Sequence, residues 1–172
     1  ALPGAWAWLT MPCDGFCPGC GDLMDCFGDH ALVCRCKGDR TVRHNQIRNM
    51  IFEEAPRAGT GAEKEKPGLL PPRPTADGIQ VGQGARRPAD VWLPRSQGGT
   101  GEALDLACTS GMRADILDKT RQDGGVVFPL YEELKRSYED TDRLCREAGF
   151  KFMPLIFEAH GGAWSGSTRK VL

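Results

Sequence analysis

Two short segments with alternating apolar and polar residues lie near the middle of the chain, at 89–93 and 103–108. Alternation with a period of two is typical of strands that bury one face, and the polar, glycine-rich stretch between the segments predicts a β-hairpin. In this hairpin Asp90 and Asp105 point away from their apolar neighbours. We therefore expect two carboxylates to face each other across adjacent strands.

Helical spacing of apolar residues precedes and follows the hairpin. Ile47 and the pair Met50 and Ile51 predict a first helix over 41–56, which Pro56 ends. The same spacing places His44 and Glu54 on the inward face of this helix. The most periodic segment, 129–148, predicts a second long helix that stops at Gly149.

The remaining segments complete the expected topology. Residues 62–70 predict a weak strand, 113–122 a short polar helix, and 150–157 a buried strand. Residues 67–88 are rich in proline, glycine and glutamine, and we expect them to form a mobile loop. The order helix, three strands, helix, strand predicts an α/β fold with a mixed sheet, a right-handed crossover and helices on both faces.

Composition limits the class of protein. The 172 residues suffice for one domain and a small satellite, and we expect a zinc-binding module at 1–38 followed by one domain at 39–172. The chain is 40% apolar and 26% charged with a net charge of −1, which is typical of globular proteins. No apolar run approaches the length of a transmembrane helix. Because the first residue is Ala1, we expect the chain to be a fragment of a longer protein.

Six of the eight cysteines lie in one window, 13–36. Cys17 and Cys20 are separated by a Pro-Gly turn, and His30 and Cys34 are one helical turn apart, so these four side chains predict a tetrahedral zinc site. A disulfide framework is the alternative, since an even number of cysteines would also suit a small secreted module. Cys13, Cys26 and Cys36 are left over, which leaves room for a second ion.

A basic stretch follows the cysteines. Arg35, Lys37, Arg40, Arg43 and Arg48 lie within fourteen residues that contain one acid, Asp39. Such a local excess of positive charge favours contacts with a nucleic-acid backbone, although the net charge of the chain does not.

The two hairpin aspartates suggest a metal site. Fourteen residues separate Arg87-Pro88-Ala89-Asp90 from Asp105 on the neighbouring strand. Carboxylate oxygens held on rigid strands suit Mg²⁺ or Mn²⁺, which can polarise a phosphate and lower the pKa of an attacking water. Solvated aspartates are also common in hairpins, so the spacing alone leaves both interpretations open.

Taken in order, these motifs resemble the PD-(D/E)xK nuclease superfamily, with its αβββαβ core. The closer resemblance is to the restriction-like endonuclease domain at the carboxyl end of site-specific non-LTR retrotransposon polyproteins. It runs from about Cys17 to Trp164. The motifs that carry it are Cys17-x2-Cys20, Gly28-Asp29-His30-x3-Cys34, Arg43-His44-Asn45, Arg87-Pro88-Ala89-Asp90, Leu104-Asp105, Lys135-x2-Tyr138 and Pro154-x3-Glu158-x2-Gly161-Gly162.

The resemblance implies a function and site residues. It implies a nuclear, Mg²⁺- or Mn²⁺-dependent endonuclease that nicks target DNA so that the freed 3′ hydroxyl primes reverse transcription, alongside the reverse transcriptase of a longer polyprotein. Asp90 and Asp105 would bind the catalytic cation, with help from Glu65. The expected DNA contacts are the five basic residues of the stretch together with Arg86 and Arg87, and the expected supporting residues are His44, Glu54 and Tyr138.

One position departs from the superfamily pattern. The usual lysine stands two residues after the second acid, where this chain has Ala107. We expect Lys135, on the following helix, to replace it, with Lys119 as the second candidate. If neither reaches the site, the chain is a catalytically inactive, zinc-stabilised nucleic-acid-binding module. A purely structural protein-interaction domain is a third possibility, and it predicts no salt-sensitive DNA binding.

Overall fold

A computed structural model describes residues 15–24, 28–34, 36, 39–72, 86–96, 98–113 and 115–171. Most of the predicted mobile loop, 73–85, lies outside the described residues, as do Arg35 and Lys37 of the basic stretch and the spare cysteines Cys13 and Cys26. In the described part of the chain, no helix is long and apolar enough to cross a lipid bilayer.

A four-stranded mixed sheet forms the centre of the molecule. Its strands are β3 (Glu63–Lys64), β4 (Val91–Leu93), β5 (Glu102–Thr109) and β6 (Lys151–Glu158), in that spatial order. β3, β4 and β5 pair antiparallel, and β5 pairs with β6 in parallel. The predicted hairpin and the buried last strand are therefore present, and the mixed α/β fold is confirmed.

Helices cover both faces of this sheet, and their bounds are α2 (Asp39–Glu54), α3 (Leu117–Gln122), α4 (Val127–Ser137), α5 (Thr141–Glu147) and α6 (Gly166–Val171). On one face, Ile51 of α2 packs with Leu104 and Leu155. On the other face, Cys145 of α5 packs with Trp92 and Phe152. The parallel connection from β5 to β6 thus passes through α3, α4 and α5, as the crossover prediction requires.

The amino-terminal segment forms a small separate hairpin and helix. Its elements are β1 (Gly15–Phe16), β2 (Leu23–Met24) and α1 (Asp29–Val33), with β1 and β2 antiparallel. The Arg43 guanidinium on α2 donates a hydrogen bond to the Leu32 carbonyl at the end of α1. This bond connects the cysteine-rich segment to the first helix of the sheet domain.

The single long helix predicted over 129–148 is wrong. The helix breaks at a 3₁₀ turn, Tyr138–Asp140, in which Glu139 and Asp140 have φ angles of 51° and 56°. The break is stabilised from outside the helix, because the Arg86 guanidinium donates to the Glu139 carbonyl at 3.2 Å. Apolar periodicity continues through such a break, so the sequence pattern could not locate it.

The expectation that Glu54 faces inward is also wrong. Ile47, Ile51 and Ala55 form the buried stripe of α2, whereas Met50 and Glu54 are exposed, and Glu54 pairs with Arg57. At 100° per residue on an α-helix, His44 lies about 20° to one side of Ile51 and Glu54 about 60° to the other side. His44 and Glu54 therefore belong to different flanks, and only the flank with His44 approaches the hairpin.

Candidate functional site

Asp90, immediately before β4, lies beside Asp105 on the antiparallel strand β5. Val91 pairs with Leu104, so the preceding residue Asp90 continues the register toward Asp105, and its N–H donates to the Leu104 carbonyl at 2.8 Å. The Leu106 N–H donates to Asp90 Oδ2 at 2.7 Å. A backbone amide of the neighbouring strand therefore fixes the Asp90 carboxylate.

His44 is a second group that holds Asp90. Its Nε2 lies 3.1 Å from Asp90 Oδ2, and the imidazole is about one third exposed. The hydrogen bond to the carboxylate raises the pKa of His44 above its usual range, against the opposing effect of burial. Both His44 and the Leu106 amide contact the same oxygen, Asp90 Oδ2.

Lys135 on α4 approaches the second aspartate. Its Nζ lies 2.8 Å from Asp105 Oδ2, and both side chains are largely buried. Burial raises the pKa of Asp105, and the Lys135 ammonium offsets this effect only in part. Burial is the largest single effect on the pKa of Lys135 and lowers it, but the charge of Asp105, the hydrogen bond to that carboxylate and the charges of Tyr131 and Asp90 together raise the pKa above its usual range, so the ammonium stays charged at neutral pH. Lys135 therefore contacts Asp105, one of the two aspartates that it was predicted to approach.

Lys119 does not reach the same place. It lines a different cavity of about 260 Å³, between α3 and α4, together with Tyr131 and Leu134. None of the ion pairs found in the described residues joins Lys119 to Asp90 or Asp105. Lys135 is therefore the lysine that the fold brings to the hairpin aspartates.

A polar cleft of about 180 Å³ opens beside this pair. Asp105 and Lys135 line it together with Arg87, Tyr138 and Glu139. Tyr138 is more than half exposed and belongs to the 3₁₀ turn that breaks the helix. Arg86 lines the cleft as well, which thus combines three cations and an exposed aromatic ring with one member of the aspartate pair.

The donor set suits a hard divalent cation. Two carboxylates on rigid neighbouring strands supply the oxygen ligands that Mg²⁺ and Mn²⁺ prefer. The Asp90 charge itself raises the pKa of Asp105, in addition to the effect of burial. A cation between the two side chains would remove this repulsion, so the residues present fit such an ion.

Glu65 lies near the aspartates but faces arginines. Its backbone N–H donates to the Asp90 carbonyl at 3.0 Å. Its carboxylate accepts hydrogen bonds from Arg48 and, at 3.3 Å, from Arg87. The expected help of Glu65 in cation binding therefore has no direct counterpart in this arrangement, because both carboxylate oxygens are engaged with guanidinium groups.

The other basic residues predicted to contact DNA have different surroundings. Arg86 is mostly buried and binds Glu139 and Thr141. Arg43 binds the Leu32 carbonyl. Arg40 is exposed at the start of α2. Arg40 and Arg87 are thus the described members with the most accessible side chains.

Cys17, Cys20, His30 and Cys34 converge as the sequence predicted. Their ligand atoms all lie within 4.8 Å of one another. The Sγ atoms of Cys17 and Cys20 each lie 3.8 Å from Cys34 Sγ, and Cys20 Sγ lies 3.2 Å from His30 Nε2. Two thiolates on one tetrahedral zinc ion are about 3.8 Å apart, given Zn–S bonds of ~2.3 Å. The cluster therefore has the geometry of a Cys₃His metal site.

The clustered thiols differ in acidity. Backbone N–H groups of Cys20 and Gly19 lower the pKa of Cys17 to about 6. For Cys20 the Asp22 amide acts in the same direction, but desolvation and the neighbouring thiols raise the pKa to about 12. A bound divalent cation would stabilise the neighbouring thiolates together, because its positive charge offsets the repulsion between them. The described cysteines are all free thiols, which favours the metal site over the disulfide alternative.

Sequence reasoning missed two parts of the site. The Leu106 amide that fixes Asp90 is a backbone group, which no side-chain pattern can reveal. The turn at Tyr138–Asp140 brings Tyr138 to the cleft, and its Glu139 carbonyl accepts a hydrogen bond from the distant Arg86. The only local signal was the polar run 137–142 inside a helical pattern.

No protein-family model matches this chain, and no curated protein gives a significant match. Function is therefore inferred from the geometry of the chain's own residues.

Proposed function

We propose that the chain is a metal-dependent DNA endonuclease domain that nicks target DNA by phosphodiester hydrolysis. The observation that carries the proposal is the Asp90–Asp105 pair with Lys135 Nζ 2.8 Å from Asp105, beside a cleft lined by Arg87. This combination of two carboxylates, one lysine and a basic cleft provides groups for a cation, a water molecule and a phosphate.

Each residue has a definite role in this proposal. Asp90 and Asp105 bind Mg²⁺ or Mn²⁺, which when bound polarises the phosphate and lowers the pKa of water. Lys135 orients the attacking water or stabilises the charge that develops on the phosphate oxygens. His44 keeps Asp90 in place. Water adds to phosphorus, the bond to the 3′ oxygen breaks, and that oxygen takes up a proton to give a 3′ hydroxyl.

The biological setting follows from the resemblance to retrotransposon endonuclease domains. A freed 3′ hydroxyl can prime reverse transcription, so we propose a retrotransposon polyprotein as the parent chain and chromosomal DNA in the nucleus as the target. The Cys₃His cluster would hold a structural zinc ion and, through the Arg43–Leu32 hydrogen bond, support α2 beside the active site.

The test is incubation of the purified chain with supercoiled plasmid, with and without Mg²⁺ or Mn²⁺. The proposal predicts conversion to open circles only with the metal. The second candidate function is a catalytically inactive DNA-binding module, which Ala107 in the usual lysine position favours. It predicts a salt-sensitive gel shift with no conversion of the plasmid under any metal condition.

A further inference from the structure

One carboxylate bridges two arginines at the edge of the proposed active site. Glu65 Oε1 accepts from Arg48 Nη1, and Glu65 Oε2 accepts from Arg87 Nη1 at 3.3 Å. Each oxygen therefore faces a different guanidinium group. Two arginines arranged in this way also match two oxygens of one phosphate, for which guanidinium is the preferred partner.

The bridge lies where a DNA backbone would pass. The Glu65 N–H donates to the carbonyl of Asp90, one of the two proposed cation ligands. Arg87 lines the same cleft as Asp105 and Lys135. A DNA strand that presents one phosphate to the aspartates would therefore place a neighbouring phosphate close to Arg48 and Arg87.

The three side chains differ in how firmly they are held. The Arg48 side chain is 14% exposed, whereas those of Glu65 and Arg87 are 43% and 58% exposed. The buried Nε of Arg48 has no hydrogen-bond partner among the residues that the structure describes. Arg48 is thus a fixed part of the site, and Glu65 and Arg87 can separate into water at low cost.

The backbone at Glu65 is itself strained. Its φ angle is 47°, in the left-handed region, which is energetically unfavourable for a residue with a side chain. The two arginine contacts help to offset that cost. If an anion replaced the Glu65 carboxylate between the two arginines, the backbone at Glu65 would lose these contacts. It would then have little intrinsic preference for its left-handed conformation.

We propose that Arg48 and Arg87 form a binding subsite for one backbone phosphate of DNA, and that Glu65 is an internal phosphate mimic that the DNA must displace. This inference rests on the proposed DNA binding and does not require cleavage. The competing carboxylate weakens all DNA binding at this subsite, so that only a strand held by further contacts remains bound.

The test compares Glu65→Gln with the matched variant Glu63→Gln. Glu63 lies two residues before Glu65 and is similarly exposed. Its carboxylate pairs with Lys66 at 2.7 Å. Affinity for a fluorescent DNA duplex is measured by anisotropy at several salt concentrations, without added Mg²⁺ or Mn²⁺. Glu65→Gln should tighten binding about fivefold or more, most clearly at low salt, and Glu63→Gln less than about twofold.

Two further variants show whether the gain in affinity comes from the released arginine. Arg87→Gln combined with Glu65→Gln should cancel most of the gain, because the guanidinium that would bind the phosphate is then absent. Glu65→Gly relieves the backbone strain as it removes the carboxylate, so it should also tighten binding in a chain that is folded by circular dichroism.

Specific results would overturn the inference. Equal DNA affinities of the Glu65→Gln and Glu63→Gln variants would show that the change in affinity comes from the change in net charge alone. If Glu65→Gln still tightens DNA binding when Arg87 is replaced by Gln, the Glu65 carboxylate does not compete with DNA for Arg87. Unchanged affinity with lost plasmid nicking would instead make Glu65 part of the cation site. Either of the first two results, together with intact plasmid nicking, overturns the phosphate-subsite inference and leaves the proposed endonuclease function standing. Failure of every variant to bind DNA overturns both the inference and the proposed function.

Discussion

Lys135 Nζ lies 2.8 Å from Asp105 Oδ2, although the two residues are thirty positions apart and belong to a helix and a strand. The chain thus brings a lysine to its second hairpin aspartate by tertiary packing, whereas Ala107 occupies the position two residues along the strand. The lysine side chain is only 27% exposed, so its ammonium is held in one place instead of moving freely in solvent.

The first prediction follows from this contact. Lys135→Ala should lower the rate of plasmid nicking by about 10²-fold or more, the effect of losing a preorganised charge. Lys119→Ala is the matched control, since Lys119 lines a separate cavity, and it should change the rate far less. Initial rates at saturating Mg²⁺ measure both. A fully active Lys135→Ala variant would contradict the assignment.

The second prediction concerns the cation ligands. Asp90→Ala and Asp105→Ala should each abolish metal-dependent nicking and leave most of the DNA affinity, because arginine contacts to phosphates provide that affinity. Asp118→Ala is the control, as Asp118 is 90% exposed on α3. Nicking assays and gel shifts on the same preparations separate the two effects. Undiminished nicking by either variant would remove that aspartate from the site.

The third prediction concerns the Cys₃His cluster. The chain should bind one zinc ion tightly, and Cys20→Ser should lose it and destabilise the amino-terminal segment, because metal ligation contributes directly to folding. Metal analysis and thermal unfolding measure the two effects. Cys108→Ser, on β5 outside the cluster, should keep its zinc. Absence of zinc from the wild-type protein, with oxidised cysteines, would favour the disulfide alternative.

The fourth prediction tests the second core. A Cβ atom added at Gly101 would overlap the indole of Trp92, which packs edge-on against Phe150 at 5.0 Å. Gly101→Ala should therefore lower the free energy of unfolding by about 1–3 kcal/mol. Gly124→Ala should change it little, because among the described residues no atom beyond the immediate chain neighbours lies within 4 Å of the corresponding position. Urea denaturation compares the two, and equal stabilities would contradict the packing of Trp92 against Gly101.

The sequence by itself determined the order of elements and two local groupings. Alternation with period two located Asp90 and Asp105 on facing strands, since a hairpin fixes its cross-strand neighbours through short-range geometry. The spacing of Cys17, Cys20, His30 and Cys34 located the metal cluster for a similar reason, because all four lie within eighteen residues. Local patterns of this kind need no knowledge of distant parts of the chain.

Only the tertiary structure decided which distant groups reach these residues. The break between α4 and α5 accepts a hydrogen bond from Arg86, about fifty residues away, and the apolar periodicity of the segment does not reveal such a contact. The same holds for the contact of His44 with Asp90 and for the engagement of Glu65 by two arginines. Such contacts depend on the angles at which helices pack on the sheet, and these angles follow from the whole set of buried side chains rather than from any one segment.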